Sequence, residues 1–284
     1  MARIVVTGGS GKLGRATVDE LVDHGHEVWN YDLVPSGSDR ARFTRVDLSD
    51  FGQVYEAFAG LDEGWSPIDA VVHLAAIPGP AQAPNAALFA NNILSTHHVF
   101  SAARHARIRN VVWASSETLL GIPFDTPPPY ALVDEAYPVR PETTYALAKA
   151  LEEEMARTFC RWDPELKMIG LRFSNVMERA DYERFPSFDA DPRLRKWNLW
   201  AYIDARDGAQ AIRLAVEHRS VGMEIFVIAN ADTVMGRSSA DLMAEVFPDV
   251  PIRHELGEHA SLLSIDKARR VLGYEPRHSW RSQA

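Results

Sequence analysis

The chain holds one cysteine, Cys160, among 284 residues. No intrachain disulfide can form and no cysteine-rich metal knuckle can be built, so no metal site is expected and a reducing, cytoplasmic compartment fits. Cys160 itself falls in a helical pattern and reads as a buried or half-buried filler. Long apolar runs are missing too: none reaches the roughly 18 residues that mark a membrane-spanning helix. Ile4-Val5-Val6 reads as a core strand, not as part of a signal peptide. Basic charge is short, with 30 Lys and Arg against 39 Asp and Glu, a formal net charge of -9. That balance argues against a general nucleic-acid binder, which the phosphate backbone would repel. The densest basic run, Arg193-Leu-Arg195-Lys196, reads as a local anion contact or a solvated face. Repeats, low-complexity tracts and flexible linkers are also lacking.

What is present is a long alternation of strand and helix signals in a chain that is 46% hydrophobic. Short apolar, β-branched runs predict strands at 3–7, 27–31, 43–46, 68–74, 111–114, 168–172 and 224–228. Helical spacing predicts helices at 12–24, 50–60, 85–106, 143–162, 204–218, 239–247 and 264–272. Caps agree at several ends: Gly25 after the first helix, Ser49 or Asp50 before the second, Ser264 and Gly273 around the last. The pattern implies an α/β fold, a doubly wound parallel sheet of Rossmann type. The proline-rich stretch 121–142 reads as an ordered loop, and 176–200 as irregular. Residues 1–175 are expected to form the dinucleotide-binding core with the catalytic residues. Residues 176–284 are expected to complete the sheet over about 205–230 and to form a small substrate lobe.

Four glycines fall between Gly8 and Gly14, directly after the first strand, as Gly8-x-x-Gly11-x-x-Gly14. Glycines there let the backbone turn tightly and approach a pyrophosphate, and the following helix N-terminus supplies free N–H groups. Gly8, Gly11, Lys12, Leu13 and Gly14 are therefore candidate cofactor contacts. Asp32 ends the second strand, where a carboxylate accepts hydrogen bonds from an adenosine ribose diol and repels a 2′-phosphate. NAD is accordingly favoured over NADP, with Arg40 and Arg42 as the residues that can accommodate a phosphate. Asp47-Leu48, after the third strand, is placed either to meet the adenine or to cap the helix at 50–60. Leu74-Ala75-Ala76 leaves room for a cofactor to cross the sheet edge, and the His73 before it reads as structural.

Tyr145 and Lys149 stand at i, i+4 on one helix face. Ser115-Ser116 ends the preceding strand, 29 residues upstream of Tyr145 if counted from Ser116. A phenol must lose its proton to act as a base, and a nearby ammonium favours that loss. A serine hydroxyl can steady charge developing on the substrate oxygen. Ser116, Tyr145 and Lys149 thus form a candidate hydride-transfer set, with Lys149 also holding the nicotinamide ribose.

With these motifs in place, the chain resembles an extended short-chain dehydrogenase/reductase of the NAD-dependent epimerase/dehydratase family. The likeness runs through Thr7–Gly14, His73–Ala76, Ala114–Gly121, Tyr145–Lys149, Arg172–Val176 and Ser264–Pro276. It implies that Ser116 takes the catalytic serine/threonine position and that Asn92 matches the family's helix asparagine. It also implies a homodimer formed by packing helices 85–106 and 143–162 into a four-helix bundle.

The chain departs from that family where the partner substrate would bind. Leu119-Leu120 replaces the usual Val-Tyr before Gly121. Trp200 stands where nucleotide-sugar epimerases place an arginine for the diphosphate, and the insert after Asn175 is short. Both departures imply a smaller molecule, as in uronate dehydrogenases, which oxidise a free sugar acid with NAD. Ser115, Ser116, Glu117, Asn175, Arg179 and Arg184 are the candidate substrate contacts, the two arginines as bidentate partners for a carboxylate. The leading expectation is an NAD-dependent oxidoreductase acting on a small carbohydrate-like molecule. The alternatives are a nucleotide-sugar 4-epimerase and a non-catalytic NAD(H)-sensing protein.

Overall fold

The structure, a computed structural model, describes residues 1–60 and 67–283. Residues 61–66 and Ala284, which fall within the two expected domains, lie outside the described residues. Among the described residues, nine strands run β1 (Arg3–Thr7), β2 (Glu27–Asp32), β3 (Arg42–Arg45), β4 (Ala70–His73), β5 (Asn110–Ser116), β6 (Lys167–Phe173), β7 (Val176–Met177), β8 (Ile203–Asp204) and β9 (Gly222–Ile228). Seven helices accompany them: α1 (Lys12–Asp23), α2 (Phe51–Ala59), α3 (Asn85–His105), α4 (Thr144–Trp162), α5 (Ala205–Glu217), α6 (Ser239–Val246) and α7 (Asp266–Leu272).

One sheet has the order β3-β2-β1-β4-β5-β6-β9, and every neighbouring pair is parallel. Alternate residues of each strand feed opposite faces. Ile4, Val6, Val72, Val112 and Leu171 pack with α1 and α5, through Val18, Leu21 and Ile212. Val5, Val71, Val111, Trp113 and Met168 pack with α2, α3 and α4, through Val54, Phe58, Phe100 and Phe159. Because both faces are covered, the central strands read as unbroken apolar runs. The chain winds from β1 out to β3 and then returns to β4 on the other side of β1. That reversal opens a crevice at the C-terminal ends of β1 and β4, where ligands of open α/β sheets bind.

Residues 176–200 are more ordered than their sequence suggests. β7 pairs with β8, Val176 opposite Ile203 and Met177 opposite Asp204. Three 3₁₀ segments follow β7, over Arg179–Ala190, Pro192–Leu194 and Lys196–Asn198. A capping box between Glu178 and Asp181 starts the first, while Pro186 and Pro192 prevent an α-helical ladder. Tyr182, Phe185, Trp200 and Tyr202 bury their rings in the same core as Leu171 and Phe226, so the segment is welded to the sheet. The basic run is not a solvated face throughout, because Arg195 is buried. The last helix also starts later than expected, at Asp266: Ile265 takes the cap position, and the Ser264 hydroxyl accepts from the Asp266 N–H at 3.3 Å.

Candidate active site

The glycine-rich loop lies at the mouth of the crevice. Gly8 has φ +72°, and a side-chain carbon there would stand 2.6 Å from the Ala75 nitrogen. A carbon on Gly14 would meet the Gly8 carbonyl oxygen at 2.1 Å. These two positions admit only glycine: Gly8 holds the loop against Leu74-Ala75, and Gly14 brings the start of α1 against Gly8-Gly9. α1 begins after Gly11 with no side-chain cap among the described residues, leaving its first N–H groups for an anion. Asp32 closes β2; its carboxylate accepts from the Ser10 N–H at 3.0 Å and the Leu33 N–H at 2.7 Å.

Asp50, not Asp47, caps α2, accepting from Gly52 and Gln53. Asp47 instead accepts from the Ser49 N–H and hydroxyl at 2.9 and 2.7 Å, which holds its carboxyl below the usual range. Leu48 beside it is buried. Arg40 is engaged by Asp19 and Asp23. The buried Asn92 amide accepts from the Ile77 N–H at 2.8 Å and donates to its carbonyl at 3.1 Å, fixing the loop after β4. Lys12 pairs with Asp181 at 2.6 Å, and Arg15 with Glu178 at 2.7 Å, tying α1 to the lobe. An uncapped helix start, a loop closed to side chains and a carboxylate at the end of β2 together fit an NAD molecule.

Ser116 ends β5, and Tyr145 and Lys149 lie on successive turns at the start of α4, which Thr143 caps. All three are buried. The Ser116 oxygen accepts from the Thr118 N–H at 3.1 Å and its hydroxyl at 3.0 Å. Burial raises the Tyr145 phenol above its ordinary value; Lys149 and Ser116 favour the phenolate, while Glu152 and Glu117 oppose it. The Lys149 ammonium lies 5.9 Å from the Tyr145 ring centre and donates to the Ala114 carbonyl and to Glu152, both at 2.8 Å. Burial works against that charge, but Glu152 and the Tyr145 oxygen outweigh it, and Lys149 stays an ammonium. His73 is structural: its ring bridges Thr7 at 2.8 Å and Thr96 at 3.1 Å, and burial, helped by Lys149, pulls it down to about 3.

The substrate side differs more from its sequence reading. Ser115 is turned inward: its hydroxyl donates to Glu153 at 2.7 Å, and Glu153 takes a bidentate pair of bonds from Arg172 at 2.9 Å each. Successive strand residues diverge, so Ser115 cannot share Ser116's surroundings. Arg179 and Arg184 are exposed, with no ion pair among the described residues. The cation that reaches the buried site is Arg195. Its guanidinium donates to Asn175 at 3.4 Å and to the Ala201 carbonyl at 3.1 Å, lies over Trp197 and Phe188, and keeps Nε without a partner among the described residues. Glu117, next to Ser116, is also buried; it accepts from Asn198 at 3.1 Å and leaves Oε2 without a partner among the described residues. Burial pushes its carboxyl up to about 7, against the pull of Ser174, Asn198 and Arg195. Arg195 escaped the sequence reading because it joins two three-residue 3₁₀ segments, each too short to show a period that marks an inward residue.

Among the described residues, no helix is long and apolar enough to cross a membrane. A model of the NAD dependent epimerase/dehydratase family matches residues 4–229. UDP-glucose 4-epimerase 2 of Arabidopsis thaliana is 29% identical over 189 residues, covering 61% of this chain and 51% of that protein. The chain thus spans about half the length of the curated plant relatives it matches. The L-arabinose 1-dehydrogenase (NAD(P)(+)) of Haloferax volcanii is 28% identical over 290 residues, covering 98% of this chain and 97% of the relative. Among solved structures, a short-chain dehydrogenase/reductase superfamily protein from Agrobacterium tumefaciens with bound NAD superposes with a TM-score of 0.72. It is 25% identical, and the match covers 98% of this chain and 94% of that one.

Proposed function

The chain belongs to the NAD-dependent epimerase/dehydratase family, and we propose that it oxidises or reduces a single carbon of a small carbohydrate-like substrate, a free sugar or sugar acid. The observation that carries this reading is the meeting of Ser116, Tyr145 and Lys149 beside the glycine cradle. Bound NAD supplies the hydride acceptor for a hydroxyl-bearing carbon. Tyr145 takes the hydroxyl proton, Ser116 donates a hydrogen bond to the same oxygen, and Lys149 favours the phenolate and holds the nicotinamide ribose. Residues 1–175 serve as the cofactor and catalytic core, and the rest completes the sheet and closes over the substrate.

Two features favour a small substrate. Trp200 is fully buried with its indole donating to the Pro192 carbonyl at 2.7 Å, so a structural ring occupies the position of a diphosphate-binding arginine. Arg195, with Asn175 and Glu117 beside it, offers a forked cation for a sugar-acid carboxylate. The matched plant 4-epimerases favour the second reading, a nucleotide-sugar epimerase. Exposed Leu94 on α3 and Leu147 and Leu151 on α4 favour a homodimer through these helices, and the single cysteine suits a reducing cytoplasm. Titration calorimetry separates the two substrate readings: NAD binds, NADP binds at least about tenfold more weakly, and UDP gives no heat. Tight UDP binding overturns the small-substrate reading.

A further inference from the structure

The reading above gives Lys149 the task of favouring the Tyr145 phenolate, yet that lysine is already committed. Its ammonium forms an ion pair with Glu152 at 2.8 Å, and the two side chains are 4% and 0% exposed. Its second donor goes to the Ala114 carbonyl. Glu152 lies one turn along α4 from Lys149, at i, i+3, so the pair belongs to one rigid helix. The other Glu152 oxygen, Oε1, has no hydrogen-bond partner among the described residues. A fully buried carboxylate is costly and is kept only where it meets a partner or a purpose.

The surrounding charges do not replace the one that Glu152 offsets. From α4 itself, Glu153 is matched by Arg172 of β6 and by the Ser115 hydroxyl of β5. From β4, His73 is neutral at all but strongly acid pH, since burial pulls it down to about 3. From α3, Thr96 is uncharged, bonds to His73 and pulls the Glu152 carboxyl down. Beyond β5, Ser116 is uncharged and Glu117 adds negative charge when ionised. Arg195 lies with Glu117 on the substrate side. Burial pushes the Glu152 carboxyl up against the pull of Lys149, and the 2.8 Å ion pair leaves Glu152 offsetting part of the Lys149 field on the Tyr145 phenol.

We propose that Glu152 is a positioning residue that holds the Lys149 ammonium in place and, by offsetting its field, keeps Tyr145 protonated until the positively charged ring of oxidised nicotinamide arrives. This inference rests on the reading of Tyr145 as the base, but its test needs neither substrate nor turnover. An oxidised nicotinamide ring beside the phenol would add positive charge that Glu152 does not offset, making proton removal conditional on the cofactor being present in the form that accepts hydride.

The test is an ultraviolet difference titration of phenolate in cofactor-free protein, with the Tyr145 signal isolated by subtracting the matching Tyr145→Phe protein. Glu152→Gln preserves the side chain's shape and removes its charge; Glu152→Met removes the charge with a different packing and serves if the first variant folds poorly. Glu154→Gln, on the exposed face of the same helix, is the control. The inference predicts that both Glu152 variants lower the Tyr145 midpoint by at least about one pH unit and that Glu154→Gln leaves it in place. The acid limb of kcat/KM moves down by the same amount once a substrate is in hand. If Glu152 serves folding alone, its variants lower the melting temperature and leave the Tyr145 midpoint where it was, and that result overturns the inference.

Discussion

Glu117 is the side chain whose surroundings conflict most with its charge. It is enclosed next to Ser116, accepts one hydrogen bond from Asn198 and is pushed up to about 7, chiefly by burial. In an unfolded chain it titrates near its ordinary value of 4.5. Between these two values the folded protein keeps a proton that the unfolded chain has lost. The stability this group contributes is therefore full below the unfolded value and is lost as pH rises through about 7. The difference amounts to on the order of 3 kcal/mol. Glu117→Gln removes the titration: its melting temperature relative to wild type should rise steadily between about pH 5 and 8, and a constant difference across that range contradicts the assignment. Glu117 was visible in the sequence as the neighbour of Ser116, but its burial was not. That depends on Asn198 and Arg195, which reach it from a segment some 80 residues away along the chain.

The element that organises the site is α4. It carries Tyr145 and Lys149 on its first two turns, and Glu153 anchors it to the sheet through Arg172 and Ser115. Removing Glu153 leaves the Arg172 guanidinium buried and uncompensated. Glu153→Ala should cost about 3–5 kcal/mol, whereas Glu154→Ala, at the exposed pair with Arg157, should stay within about 0.5 kcal/mol. Urea unfolding followed by circular dichroism measures both, and equal small losses would show that the buried bridge does not hold the helix. At this scale the sequence was informative where periodicity or punctuation applied. Gly8, Gly14, Asp50 and Gly273 stand at turns or caps that their chemistry announces, and the long stretches at 85–106 and 143–162 give helices within a residue of the expected ends. It was less informative over 176–200. There 3₁₀ turns are stabilised by the capping box at Glu178 and by aromatic packing, neither of which leaves a repeating pattern. Ser264 shows the limit of local cues, since a good cap residue stands just outside the helix it was expected to open.

In the whole molecule, the reversal of strand order between β1 and β4 brings the glycine loop, Asp32, Ser116 and Tyr145 to one edge of the sheet. The alternation of strands and helices made that architecture legible, and the glycine spacing marked the end at which a dinucleotide would sit. The substrate side was legible only as departures, such as Trp200 in place of an arginine. Which arginine of this segment is enclosed beside Glu117 depends on how residues 176–200 fold back over the sheet, which brings Arg195 in and leaves Arg179 and Arg184 outside. In the proposed function, hydride passes between NAD and a small sugar or sugar acid, with Tyr145 as the base. The most direct measurement is NADH formation by the purified protein with NAD and a panel of free sugars and sugar acids, run beside Tyr145→Phe. NADH is expected from at least one of them, with a loss of at least about a hundredfold in the variant. No NADH from any of them, together with conversion of a UDP-hexose to its C4 epimer, would contradict the proposed function.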